Sequence, residues 1–137
     1  MSSQQLAYLL DALHDARAQV RAQSVDALGD IGDPAAIEPL RALLEDEDLF
    51  VRVRAVRSLR QIGGPSAVDA LLLALTNTLP AVRRAVIVSL SYLEDERCYP
   101  ALVNALKSET DERVQRSIVL TLRQMDAPAA PAPEDLM

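Results

Sequence analysis

A repeat of 31 residues constrains this chain more than any other feature of its sequence. Two series of leucines recur at that spacing, and so does a Val-Arg pair. The first leucine series is Leu9, Leu40, Leu71 and Leu102, and the second is Leu13, Leu44, Leu75 and Leu106. The pair begins at Val20, Val51 and Val82, and becomes Val-Gln at Val114 after one inserted residue. Three series in one register predict a stack of four similar units.

Each unit contains two helical patterns. The first has apolar residues four apart, such as Leu40 and Leu44, which lie on one face of a helix. The second begins at the landmark valine of the Val-Arg pair and continues with apolar residues at helical spacing. Gly32 and Gly63, each followed two residues later by proline, predict the end of one unit and the start of the next.

Helices this short bury their apolar stripes only when neighbouring pairs stack on one another. The chain has one Phe, three Tyr and no Trp, so its core must consist mainly of aliphatic residues, which favours helices over strands. We therefore expect an all-α fold, a right-handed αα-superhelix of four helix pairs, over residues 1–126. The expected repeats are 4–34, 35–65, 66–96 and 97–126. Residues 127–137 contain three prolines and no apolar period, which predicts a disordered Ala/Pro tail.

Residues 20–52 resemble the HEAT-like repeats of the phycobilisome-lyase (E-Z) type. The matching features are the Val-Arg opening, the segments Ala-Leu-Gly and Ile-Gly-Asp-Pro, Ala-Ile, a leucine pair four apart, and Asp before the next Val-Arg. The resemblance weakens along the later units but covers all four. It implies an α-solenoid from a family that includes bilin-lyase subunits, scaffolds, adaptors and chaperone-like proteins.

The resemblance also implies a structural ladder along the stack, in which acidic or amide residues between paired helices contact arginines. Each arginine follows its ladder residue by six positions. The matching residues are Asp15 with Arg21, Asp46 with Arg52, and Asn77 with Arg83. In the last unit, Glu109 and Gln115 are expected to be out of register.

Side chains suited to catalysis are scarce. The one histidine, His14, stands at a helix end, where a cation suits the helix dipole. Cys98 corresponds to Ala36 and Ala67 in earlier units, which predicts a small packed position. The sequence has neither metal-ligand spacing nor a glycine-rich phosphate loop. We therefore expect a protein that is not an enzyme and uses no metal or cofactor.

One face of the second helices carries an unusual mixture of side chains. Positions −1, 2, 3, 6 and 10 from the landmark valine point away from the predicted core, and in the resembled family this face is the concave groove. Aromatic, aliphatic and Arg residues together are typical of interface hot spots. The predicted partner-binding residues are Phe50, Val53, Arg54, Arg57, Arg84, Val88, Tyr92, Arg116 and Leu120. Alternatively, Val53, Val88 and Leu120 pack only against adjacent units.

These observations favour a protein-protein interaction scaffold or adaptor, whose partner offers apolar anchors and acidic flanks. The resemblance supports an alternative, an accessory or subunit of a bilin (tetrapyrrole) lyase-type complex. A nucleic-acid reader using the arginines is a third possibility, but the net charge of −6 and the single lysine, Lys107, argue against it. The segment Glu134–Met137 could be a short docking motif.

The sequence shows no evident signal for secretion or for insertion into a membrane. No apolar run is long enough for a signal peptide or a membrane span, and a single cysteine excludes an internal disulfide. One thiol is compatible with a reducing compartment. We expect a soluble, cytoplasmic protein.

Overall fold

The computed structural model describes residues 2–126, and the predicted tail at 127–137 lies outside this part of the chain. Residues 2–126 form eight α-helices and no strand. The helices are α1 Ser3–Ala12, α2 Ala18–Ile31, α3 Ile37–Ala42, α4 Leu49–Ile62, α5 Gly64–Leu73, α6 Pro80–Ser91, α7 Cys98–Ser108 and α8 Glu112–Asp126. Short 3₁₀ turns at Pro34–Ala36, Leu43–Glu45 and Ala74–Thr76 extend α3 and α5.

The predicted all-α superhelix of four helix pairs is confirmed. The second helices of the pairs, α2, α4, α6 and α8, each pack against the next one along the stack. The first helices, α1, α3, α5 and α7, contact one another much less. The more closely packed row of second helices therefore forms the inner, concave side of the superhelix.

Glycine ends the second helices in the first half of the chain, as predicted. Gly32 and Gly63 adopt φ values of 75° and 70°, a region that a residue without Cβ enters at little cost. In the second half, α6 ends at Ser91 without glycine. There Arg97 donates to Asp95 at 3.1 Å and also to Asp69 of α5. The hydrogen bonds from Arg97 lower the pKa of Asp95 and hold this loop against α5.

The core follows the repeat. The landmark valines Val51, Val82 and Val114 are at most 2% exposed, and the leucines of the first series are fully buried in units two to four. Cys98 is fully buried at the position of Ala36 and Ala67, as the sequence predicts, and burial raises the pKa of its thiol. Unit one, at the end of the stack, is less covered, and no residue within α1 is buried.

The ladder joins successive units through shared arginines. Arg21 donates to both carboxylate oxygens of Asp46 at 2.9 and 3.0 Å, and to the carbonyl oxygen of Asp15 at 2.8 Å. Arg52 and Arg83 repeat this arrangement with Asn77 and Glu109 of the following units. Hydrogen bonding to Asp46 raises the pKa of Arg21. Each arginine thus connects the loop of its own unit with the loop of the next.

The expectation that unit four leaves the ladder is wrong. Arg83 donates to both Glu109 oxygens at 2.7 and 3.1 Å, and Gln115 donates to the Glu109 carbonyl at 2.6 Å. Units two and three end their first helix in three residues of 3₁₀ turn, whereas α7 stays α-helical to Ser108. Three 3₁₀ residues and four α residues both rise about 6 Å. The inserted residue therefore leaves the ladder in register.

Candidate binding groove

A groove with a volume of about 810 Å³ lies on the concave side, between α4, α6 and the start of α8. Its apolar lining comes from all three helices, and arginines border it. The principal apolar residues are Leu49, Phe50, Val53, Ala81, Ala85 and Val88, and the arginines are Arg57, Arg60, Arg84 and Arg113. We refer to this cavity, with all the residues that line it, as the groove.

Five of the predicted partner-binding residues meet in the groove: Phe50, Val53, Arg57, Arg84 and Val88. Phe50 is 72% exposed and Val88 is 43% exposed, so both offer apolar surface to a ligand. Val53 is half-buried against the core, so the alternative of packing between units applies to it in part. The periodicity of the second helices thus leads to one continuous surface on α4 and α6.

Arg54 lies outside the groove. Its guanidinium forms an ion pair of 2.5 Å with Asp26 of α2, which compensates its charge. Further along the same two helices, Gln61 donates to Asp30 at 3.3 Å. These two cross-links join α2 to α4, so Arg54 acts as an internal contact here and not as a free partner-binding side chain.

Three further predicted residues lie beside the groove and do not line it. The Tyr92 ring is 5.1 Å from the guanidinium carbon of Arg60, a cation-π arrangement that connects Tyr92 to the groove through Arg60. Arg116 and Leu120 are exposed on α8, and Leu120 is 57% exposed. They extend the apolar and cationic surface towards the end of the stack.

The groove is cationic in an acidic protein. Among residues 2–126, no carboxylate lies within ion-pair distance of Arg57, Arg84 or Arg113. One carboxylate, Asp111, borders the groove, and it accepts hydrogen bonds from the backbone of Arg113 and Val114 at 2.9 and 3.0 Å. Its carboxylate therefore caps α8, and the three arginines have no ion-pair partner among residues 2–126.

Sequence reasoning missed Leu49, Arg60, Pro80 and Asp111, all of which line the groove. Leu49 and Pro80 both stand two residues before a landmark valine, so their shared apolar character was an available signal. Arg60 lies nine positions after Val51, outside the outward arc of an isolated helix. It reaches the groove because a long arginine side chain extends well beyond its own backbone position.

Two other kinds of site are absent from residues 2–126. No group of three or more His, Cys, Asp or Glu side chains there is arranged to hold a metal ion. No helix in that part of the chain is both long and apolar enough to cross a membrane.

Stacked helix pairs with an inner groove define the class of α-helical repeat proteins, whose curvature creates extended binding surfaces. The family model described as HEAT repeats matches residues 6–90 and 69–133. These matches cover most of the chain, which therefore belongs to the HEAT-repeat family. No curated protein matches it significantly.

Solved structures share the fold at low sequence identity. A chain of the complex of CpcE and CpcF of phycocyanin lyase from Nostoc sp. PCC7120 is 24% identical, with a TM-score of 0.71 over 88% of this chain and 81% of that one. An engineered protein is 22% identical, with a TM-score of 0.59 over 91% and 63% of the two chains. Human deoxyhypusine hydroxylase in complex with glycerol is also 22% identical, with a TM-score of 0.50 over 94% and 69%. The expected similarity to lyase-type HEAT-like repeats is confirmed at the level of fold.

Proposed function

We propose that this protein is a non-enzymatic adaptor that binds a segment of another protein in the groove. The segment carries apolar anchors and acidic flanks. The observation that carries this proposal is the combination, in one groove, of exposed apolar side chains with arginines that lack carboxylate partners among residues 2–126. We further propose the cytoplasm as its compartment, in keeping with the single buried thiol of Cys98.

The apolar lining supplies affinity. Burying one Leu- or Phe-sized side chain contributes about 1.5 to 3 kcal/mol, so each anchor bound in the groove adds to the affinity. Phe50 and Val88 lie on opposite walls, one on α4 and the other on α6. An amphipathic helix or an extended segment with apolar residues on one face can contact both walls.

The arginines supply orientation and selectivity. A guanidinium can donate two parallel hydrogen bonds to one carboxylate, which an ammonium group cannot do with the same geometry. Arg57 and Arg84 border the apolar lining from α4 and α6, so acidic residues on both sides of an anchor can be bound together. Because these arginines are exposed, added salt should weaken binding and slow association.

Charge reversal tests this function. Arg57→Glu and Arg84→Glu should each reduce capture of the native partner from a lysate at least about tenfold, because each replaces attraction by repulsion. Tyr92→Ala should reduce it less, since Tyr92 acts through Arg60. Quantitative mass spectrometry of the captured proteins measures the effect.

The matched control is Arg41→Glu, which reverses an exposed charge on α3, away from the groove. It should leave capture unchanged, and all variants should melt at the temperature of the parent protein. The proposal fails if partner capture by the Arg57 and Arg84 variants equals that of the parent. Retention on heparin that depends on the same arginines would instead revive nucleic-acid binding.

A second candidate is an accessory or subunit of a bilin lyase-type complex. The specific observation in its favour is the fold similarity to a chain of the CpcE and CpcF complex of phycocyanin lyase, at a TM-score of 0.71. Under this hypothesis the groove binds a second helical subunit. Co-purification of a coloured chromophore, or of a second HEAT-type chain, from the native source would favour it.

A further inference from the structure

The chain carries a segment whose chemistry matches the groove. Glu134 and Asp135 are followed by Leu136 and Met137, so two carboxylates stand beside two apolar side chains. We propose that residues 134–137 occupy the groove of the same molecule and compete there with the partner. This inference rests on the proposed function, because it assigns to the groove an acidic and apolar ligand.

The length of the connecting chain allows this contact. The second helices run parallel, since contacts between α2 and α4 advance together from Asp26–Arg54 to Asp30–Gln61. The C-terminal end of α8 at Asp126 therefore lies on the same side of the solenoid as the C-terminal end of α6. Asp126 lies twelve residues after Val114. Ser89, which lines the groove, lies seven residues after Val82. The difference corresponds to about 8 Å along the helix axes.

The distance from α8 to α6, measured across the helix axes, is also small. Neighbouring helix axes lie about 8 to 10 Å apart, so the near end of the groove is roughly 13 Å from Asp126. Seven residues lie between Asp126 and Glu134, and the eight steps from one to the other would span about 25 Å in a polyproline II helix. Residues 127–133, APAAPAP, contain three prolines, whose fixed φ angles reduce the backbone freedom that docking must order.

Charge favours the groove over the surfaces around arginines that are already paired. Arg21, Arg54, Arg83 and Arg97 already have carboxylate partners. Arg57, Arg84 and Arg113 have none among residues 2–126 and border the apolar lining. A tethered segment has an effective concentration in the millimolar range, so even weak intrinsic binding produces substantial occupancy.

A paramagnetic label on the full chain tests the proposal. Cys98 is buried, so a nitroxide attached through Ala132→Cys labels a single position. The label should broaden the amide NMR signals of Ala81, Ala85 and Val88 at least about threefold more than those of α3. Adding Glu134→Lys and Asp135→Lys to the labelled chain should abolish this difference. Equal broadening with and without those two substitutions, or none in the groove, would overturn the proposal.

Two further measurements separate the alternatives. Mixing labelled, unenriched protein with unlabelled, isotope-enriched protein reports contacts between copies, and broadening in that sample would replace the proposed contact by one with a second copy. A synthetic peptide of residues 127–137 should bind the chain carrying Glu134→Lys and Asp135→Lys, and Arg84→Glu should weaken its binding at least about fivefold. Loss of partner capture in Arg84→Glu without any label contact would leave the proposed function standing and refute this inference alone.

Discussion

The two successive contacts between second helices, α2 with α4 and α4 with α6, differ although the same repeat builds both. We call them the first and second joints. The first joint is closely packed and cross-linked, whereas the second forms much of the groove. Three pairs of equivalent positions account for the difference, counted from the landmark valines. They are Gly29 and Arg60, Asp26 and Arg57, and Arg54 and Ala85.

Side-chain size at the first pair sets how closely the helices can approach. A Cβ atom on Gly29 would lie 2.8 Å from the Cβ of Ser58 and 2.5 Å from its Oγ. The close approach of α2 to α4 therefore requires a residue without a side chain at position 29. At this close approach the Ser58 hydroxyl donates a hydrogen bond to the carbonyl oxygen of Val25 at 2.8 Å. At the second joint, Arg60 and Ser89 occupy the equivalent places and both line the groove.

Charge pairing at the other positions determines whether the joint is bridged. Asp26 and Arg54 form an ion pair across the first joint. The equivalent residues of the second joint are Arg57 and Ala85, so an arginine faces a methyl group. A repeat can therefore produce a binding groove by losing the cross-links between its helices, without any change in backbone fold.

Removing the ladder carboxylate of the first joint should have the largest effect on stability. Asp46→Ala removes a partner that is less than 10% exposed, like Arg21 itself, and leaves the guanidinium with only the exposed carboxylate of Glu47 at 3.6 Å. The free energy of unfolding should fall by about 3 kcal/mol, the lower end of the range for a broken buried pair, because two carbonyls still accept from Arg21. Urea denaturation measures the loss.

Asp15→Ala is the matched control for this change. Asp15 holds the same ladder position in unit one, but among residues 2–126 its carboxylate forms hydrogen bonds and an ion pair only with the exposed Arg17. That variant should be far less destabilised. Equal losses of unfolding free energy for the two variants would show that burial of the Arg21–Asp46 pair does not determine its contribution to stability.

Gly29→Ala should have the next largest effect on stability, and it should destabilise the fold although Gly→Ala in a helix usually stabilises. In an exposed helix this change stabilises by about 0.5 to 1 kcal/mol, but here the new methyl group meets Ser58. We expect a loss of about 1 to 3 kcal/mol from overpacking, measured by thermal melting. Combining it with Ser58→Gly should cost less than the sum of the single changes. Additive losses would mean that these two residues do not limit the approach of the helices.

Ala85→Glu should have the smallest effect on stability, although it gives the second joint the charge pair that it lacks. It places a carboxylate opposite Arg57 and so recreates, with reversed charges, the cross-link of the first joint. An exposed pair contributes about 0 to 1 kcal/mol, so the melting curve should barely change. Partner capture should nevertheless fall several-fold, because the new carboxylate occupies Arg57. Unchanged capture would indicate that Arg57 and the apolar wall at Ala85 do not bind the partner.

Much of the fold could be predicted from the sequence because its determinants are local. Helical periodicity identified the pairs, and Gly32 and Gly63 marked helix ends through their backbone freedom. The register of Glu109 could not be predicted in this way. It depends on whether a helix ends in a 3₁₀ turn or continues as an α-helix, a choice made by contacts with the neighbouring unit.

The sequence alone therefore determined the stack of helix pairs and the outward direction of Phe50, Arg57 and Val88. Only the tertiary structure decided that these residues share one groove while Arg54 does not. The physical reason is that periodicity fixes the angle of a side chain around a single helix axis. A groove depends on the separation of two axes, which the side chains between them set, as Gly29 does at the first joint and Arg60 at the second.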